Sequence, residues 1–202
     1  MAEKFIIEIY RTKNPDELTK LIADPESKLD TGSGAALNMA VAAAFLSRAA
    51  AVCFKEGRSS ERLDYIVRNA ETLRNYMVYL IDEDVKCKNP MRQAVKNGEE
   101  ENLEACRRPA VSICEEIVNM VGSGLDLALE LCDYCSKDGR IYVEQYVHTA
   151  MAAAKTAISY ILSLSSKSVD ETYRYVTRRE NEMTMEQYEK LSGDIFSKLS
   201  QI

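Results

Sequence analysis

The chain has 202 residues, 46% hydrophobic and 29% charged, with eight glycines, four prolines and a formal net charge of −6. This is the composition of a globular protein long enough to bury one core, and it reads as a single domain over residues 1–202. An acidic balance with no basic run excludes nucleic acid as the main partner, because nothing would neutralise a phosphate backbone.

Almost every segment carries a helical period. FIIEIY (5–10) is the one stretch that could be a strand, and alone it has nothing to pair with. Its apolar run is too short, and too interrupted by Glu8, for a secretory leader, so a cytoplasmic protein is expected. Asn14 caps a short helix with Pro15 in its first turn, and Pro25 lies just past its end. Residues 24–32 read as a loop.

The stretch TGSGAALNMAVAAAFL (31–46) then runs from small residues into an alanine-rich helix that ends before Gly57. Gly32 and Gly34 would let the loop turn tightly, and the helix start would aim free N–H groups and a positive dipole end into it. Such a loop can be an anion pocket, or simply the entry to a tightly packed core helix. Asn38, Ser47 and Arg48 interrupt the apolar run, so no membrane span is expected.

Ser59 or Ser60 caps a third helix with Leu63, Ile66, Val67, Ala70, Leu73, Met77, Leu80 and Ile81 on one face. It should break or kink at Asn89-Pro90. Asn97-Gly98 makes a turn, and a fourth helix starts at the acidic cluster Glu99–Glu101. Pro109 should bend it, Gly122 and Gly124 allow a close crossing, and Gly139 should stop it. A fifth helix spans 141–165. The polar stretch 168–201 is helical with a break near Asn181–Thr184. The expected fold is an all-α bundle of about six helices, two of them long and kinked, with helices 2 and 5 at the centre. A surplus apolar face would be covered by a second subunit, which predicts a homodimer.

The candidate chemistry is narrow. His148 is the single histidine and reads as a packed or edge residue rather than a base. The six cysteines are scattered; Cys132 and Cys135 have C-x-x-C spacing but neither a second pair nor a βαβ setting. No metal site and reduced structural thiols are therefore expected. Carboxylates remain. Counting three, four and seven residues from Ile81, Leu80 and Met77 lands on Asp84, so this carboxyl either lies on the core-facing stripe or begins a solvated turn. On the stripe it must be paired or have a raised pKa, and either state serves a general acid or base. Asp82 lies on a different face and could reach the same cleft from its edge. Lys55 and Arg58 flank Gly57 and could clamp a carboxylate or merely complement the helix dipole. Tyr142, Tyr146 and Tyr160 could stack on a flat ligand or pack into the core.

In order and spacing, these pieces resemble the cyclodeaminase domain of formiminotransferase–cyclodeaminase and the stand-alone methenyltetrahydrofolate cyclohydrolases, over about residues 13–178. NPDELTKLIADPESKLDTGSGAALNMAVAAA stands where the family has S-x-x-x-F-x-x-x-L-A followed by P-G-G-G-S-A-A-A. LIDED (80–84) stands for the family's L-V/I-D-x-D, and Arg108-Pro109-Ala110-Val111 for a V-P-L/V kink. The resemblance implies a homodimer acting on a tetrahydrofolate derivative, with no metal. The family closes 5-formiminotetrahydrofolate with loss of ammonia, or interconverts 5,10-methenyl- and 10-formyltetrahydrofolate. Asp82 and Asp84 match its paired aspartates and are the catalytic candidates, the resemblance implying that one of them transfers the proton. Thr31, Gly32, Ser33, Gly34 and Asn38 would bind substrate, with Lys55 and Arg58 near the folate tail.

The sequence departs from that pattern twice. Asp30 stands where the family loop begins with proline, and the serine is displaced by one. The family's Ser-Asp pair and asparagines on the fifth helix are absent, with Glu144 and Gln145 the nearest substrate-binding substitutes. Three functions follow: a one-carbon enzyme with a modified site, a catalytically silent folate-like or anion binder, or a structural helical dimer.

Overall fold

The computed structural model describes residues 9–55 and 60–202. Among these, six α-helices follow in order: α1 (Pro15–Ala23), α2 (Thr31–Lys55), α3 (Glu61–Asn97), α4 (Glu100–Leu131), α5 (Lys137–Ser165) and α6 (Glu171–Leu199). One 3₁₀ turn, Cys132–Tyr134, joins α4 to α5. The possible strand at 5–10 falls largely outside the described residues, and Ile9 and Tyr10 are not in a strand.

The helix starts follow from local chemistry. Asn14 accepts from the Glu17 amide at 2.9 Å, and Ser60 from Leu63 at 3.1 Å. Ser136 accepts from Gly139 at 3.1 Å and Asp170 from Tyr173 at 3.0 Å, each satisfying an N–H that the helix leaves free. At the end of α3, Gly98 turns left-handed (φ 70°) and its amide bonds back to Ala94 and Val95, which a residue with a side chain would do at a cost.

α2 is the hub. Seven of its nine alanines are buried, the helix packs against α3, α4 and α5, and α2 with α5 forms the most extensive helix pair. Neighbours in sequence run antiparallel: Ser47 of α2 meets Glu71 of α3, Arg62 of α3 meets Glu130 of α4, and Gly124 of α4 meets Tyr146 of α5. α6 lies along α4 in the same direction, with the Tyr188 hydroxyl on Val118 O and Lys198 on Asp133. The bundle therefore has two ends. The start of α2, the end of α3 and the end of α5 share one; Lys55 and the start of α5 share the other.

Of the break or kink expected at Pro90, the break does not occur: α3 continues to Asn97, and α4 continues through Pro109, where a bend is expected from the sequence. A proline in a helix costs about 3 kcal/mol. Here the far side of each is anchored: Arg92 reaches Val85 O, beside the carbonyl that Pro90 leaves unpaired, and Ala94, Ala110 and Val111 are buried. α6 is continuous through Asn181–Thr184, with Asn181 bonded to Thr177 O. Gly139 does not end α4; it lies in the first turn of α5. Thr31–Gly34 form the first turn of α2, not a loop. Neither Gly32 nor Gly34 has a positive φ.

Two glycines of α4 instead admit tyrosines. A methyl group at Gly122 would lie 2.6 Å from the Tyr188 hydroxyl, and one at Gly124 would lie 2.1 Å from that of Tyr146. Tyr146 is fully buried, so it cannot move away. Gly124→Ala is expected to cost about 1–3 kcal/mol by overpacking, read as a lower denaturant midpoint at unchanged slope. Gly193→Ala, where the methyl meets nothing within 4 Å, should instead gain about 0.5–1 kcal/mol.

Candidate functional site

At the first end of the bundle, Asp84 lies on the buried stripe of α3 and faces the first turn of α2. Its side chain and that of Lys88, one turn later, are both 0% exposed. The Lys88 ammonium lies 2.7 Å from Asp84 Oδ1 as an ion pair and donates a directed hydrogen bond to Oδ2 at 2.9 Å. The Ser33 hydroxyl donates to the same Oδ2 at 2.8 Å. Gly32 makes the approach possible: a methyl there would lie 2.1 Å from Asp84 Oδ1 and 2.7 Å from Lys88 Nζ. The carboxylate thus sits where an anion sits at a helix start, within the positive end of the α2 dipole. The anion pocket expected from the small-residue stretch is filled by the chain's own carboxylate.

Asp30 closes the cluster from outside. Its Oδ1 accepts from Lys88 and from the Gly32 amide, and its Oδ2 from Arg92 at 2.9 Å. Arg92 also donates to Lys28 O and Val85 O, which fixes the guanidinium. The Asp30 and Arg92 side chains are 32% and 27% exposed, so charge passes from solvent inward through Arg92, Asp30, Lys88 and Asp84. On the inner side the Lys88 ammonium lies 3.9 Å from the centroid of the Tyr160 ring, a cation–π contact from α5.

Burial raises the Asp84 carboxyl above its ordinary range, opposed by Lys88 and Ser33 and assisted by the Asp30 charge. Burial alone would depress Lys88, but Asp84 and Asp30 outweigh it and hold the ammonium protonated well above its usual limit. Burial also pushes the Cys87 thiol to about 11, and the Cys114 thiol and the Tyr160 phenol each to about 12. The thiols and the phenol around the cluster are therefore neutral at neutral pH, and Lys88 is charged.

A sequence model described as formiminotransferase-cyclodeaminase matches residues 15–183. The chain belongs to that family. The crystal structure of formiminotetrahydrofolate cyclodeaminase from Thermotoga maritima is similar at a TM-score of 0.83 and 17% identity. That likeness covers 94% of this chain and 97% of the other and shows the shared fold. No curated protein sequence matches the chain significantly.

Seen as a cyclodeaminase-family member, the chain brings some expected site residues together and separates others. Gly32, Ser33 and Asp84 meet. Thr31 and Asn38 are exposed on the same stretch of α2, and Gly34 has open space beside it. Asp82 turns elsewhere: it is buried and accepts from the amides of Tyr10 at 2.7 Å and Arg11 at 3.2 Å, pinning the N-terminal segment to α3. Lys55 is exposed, and a helical rise of ~1.5 Å per residue puts it about 36 Å from Thr31. Glu144, paired with Arg140, and the exposed Gln145 lie at that far end too. Arg58 lies outside the described residues.

Of the three tyrosines on α5, Tyr160 borders the cluster, Tyr142 lies under Arg48, and Tyr146 is core. His148 is exposed, beside the ring of Phe196. All six cysteines are free thiols, with Cys53 hydrogen-bonded to Cys135. Among the described residues, no three His, Cys, Asp or Glu side chains gather as a metal site.

Lys88, Asp30 and Arg92 are the members that sequence reasoning misses. Asp84 and Lys88 carry the i,i+4 acid–base spacing, and Lys88 continues the stripe seven residues after Ile81. The break expected at Asn89-Pro90 hides Arg92, whereas Lys88 lies inside the expected helix and its spacing can be read.

Lys88→Met is expected to cost about 3–5 kcal/mol at pH 7, because it leaves Asp84 buried without its cation. The native ammonium holds its proton above the unfolded value of about 10.4, so above that pH the native state binds more protons than the unfolded one. Wild-type stability therefore falls as pH rises beyond that value. Urea melts between pH 9 and 11 should show this slope in the wild type and a shallower one in Lys88→Met.

Proposed function

We propose that the chain is a folate-dependent one-carbon enzyme, a cyclodeaminase or cyclohydrolase, in which Asp84 gives and takes the proton. One observation carries this: a carboxyl raised by burial, on the core stripe of α3, in a chain of this family. Ring closure of 5-formiminotetrahydrofolate passes through a tetrahedral carbon between N5 and N10. Its departing nitrogen leaves as ammonia only after gaining a proton. In the cyclohydrolase direction, water attacks the 5,10-methenyl carbon and must lose one. A single carboxyl with a raised pKa serves the first step protonated and the second ionised.

On this reading Asp84 acts and Asp82 anchors, since its Oδ1 accepts from two backbone amides and its Oδ2 pairs with the Arg11 guanidinium at 3.4 Å. The tetrahydrofolate derivative is the substrate, and no metal takes part. It would reach Asp84 by displacing Asp30, the half-exposed outer carboxylate, and would then meet Ser33 and the polar face of Thr31, Gly34 and Asn38 on α2. The protein would act in the cytoplasm, where six free thiols persist. A homodimer would cover the outward face of α2, where Val41 is 43% exposed beside Ala44.

The complete burial of Asp84 and Lys88 favours a second reading, a catalytically silent member that keeps the ion pair as structure and binds a folate-like ligand elsewhere on this end. Loss of 5,10-methenyltetrahydrofolate absorbance separates the two. The enzyme reading expects acceleration over the uncatalysed rate and a fall of about 10²-fold or more in Asp84→Asn. No acceleration by wild-type protein removes it. Thermal stabilisation by a reduced folate, without turnover, supports the silent binder.

A further inference from the structure

Resting on the reading of Asp84 as the proton-transfer group, we propose that Lys88 and Asp30 are its positioning residues and act on its proton with opposite sign. Lys88 touches both oxygens of Asp84, and its other close anionic contact is Asp30. Because the lysine is held protonated, it is no nucleophile; it serves as a fixed cation at one edge of the carboxylate. Ser33 holds the opposite approach, and Gly32 sets how deeply the carboxylate sits.

Asp30 holds the lysine. It lies just before α2 and accepts from both the Lys88 ammonium and the Gly32 amide, so this chain supplies its own anion at the entry to that helix. Arg92 and the Gly32 amide fix that anion, and Arg92 is in turn fixed by two backbone carbonyls.

Among the described residues, the surroundings of Asp84 leave no other group to take this role. The segment before α2 contributes Asp30, and α2 contributes the uncharged Ser33. Helix α3 contributes Lys88 and Cys87, with Arg92 beyond Asp30. Helix α4 contributes Cys114 and α5 contributes Tyr160. The thiols and the phenol are neutral at working pH. One cation in contact therefore favours the ionised carboxyl, and one anion behind it works against ionisation.

The test uses Asp30→Asn, Lys88→Met and Lys88→Arg in the full chain, with two readouts. One is the titration midpoint of the Asp84 carboxyl carbon by ¹³C NMR. The other is the acid limb of kcat/KM with 5,10-methenyltetrahydrofolate. Asp30→Asn should move both down and Lys88→Met should move both up, each by about one pH unit or more. Lys88→Arg keeps the charge and moves the contact, so the midpoint stays near wild type while kcat falls at unchanged KM.

Midpoints that stay put in Asp30→Asn, or that move the same way in Asp30→Asn and Lys88→Met, overturn the proposal. If Lys88→Met does not fold, the downward shift in Asp30→Asn with an unmoved midpoint in Lys88→Arg decides it. Absence of turnover would strike the enzyme reading alone, because the NMR titration still decides whether the two residues act on the Asp84 proton.

Discussion

The ion pair between Asp84 and Lys88 is the contact on which this end of the bundle depends. Burying either charge alone is costly, several kcal/mol per ion after relaxation, which is a large share of a domain's whole stability. Together they are tolerable, and the start of α2 helps, since its free amides and dipole favour a negative charge. The pair also spans elements. Ser33 and Gly32 bring α2, Asp30 brings the segment before it, and Tyr160 brings α5. Four parts of the chain meet at one carboxylate.

Small residues make that meeting possible, and they do so in two ways. Along α2 and α5, buried alanines let the helix axes approach closely over many turns. At single points, glycines accept a polar group: Gly32 takes the Asp84–Lys88 pair, Gly122 the Tyr188 hydroxyl and Gly124 that of Tyr146. The hydroxyl of Tyr188 bonds Val118 O, whereas that of Tyr146 has no hydrogen-bond partner. Packing therefore outranks polar satisfaction at Tyr146. At Asp84 both are achieved for one oxygen, and the other is held by charge alone.

Most of the fold was legible because helix periodicity and capping are local. The stripes of α3 and α4 and the caps at Asn14 and Ser60 need only a few neighbouring residues to be read. What failed was punctuation. Pro90 signals a break or kink worth about 3 kcal/mol locally, but tertiary contacts beyond it hold the helix on, as they do beyond Pro109, where a bend is expected. The glycines at 32 and 34 signal a turn; what the structure requires at Gly32 is space for a partner 52 residues away in sequence. For the site, Asp84 was legible as the end of an apolar stripe. Lys88 carried the i,i+4 spacing inside the expected helix, but a lysine near a helix end also suits solvent; Arg92 was hidden beyond Pro90. Asp30 could be seen as an added charge, but the cation that answers it is on another helix.

The same geometry explains how family membership and an altered site coexist. A bundle of this kind is specified by apolar stripes and small residues, so 17% identity suffices for the fold to match closely. A site is specified by single side chains. In this chain the two aspartates of LIDED have separated: Asp82 serves the backbone at Tyr10 and Arg11, and Asp84 serves the cluster. A carboxylate that ties several elements together is retained for stability whatever its chemistry, so its presence alone does not argue for catalysis. Access does. Among the charged groups of the cluster Asp30 and Arg92 are the half-exposed ones, and both lie outside Lys88. A ligand approaching from that side meets the outer pair before Asp84, and an anionic one would compete first with the Asp30 carboxylate.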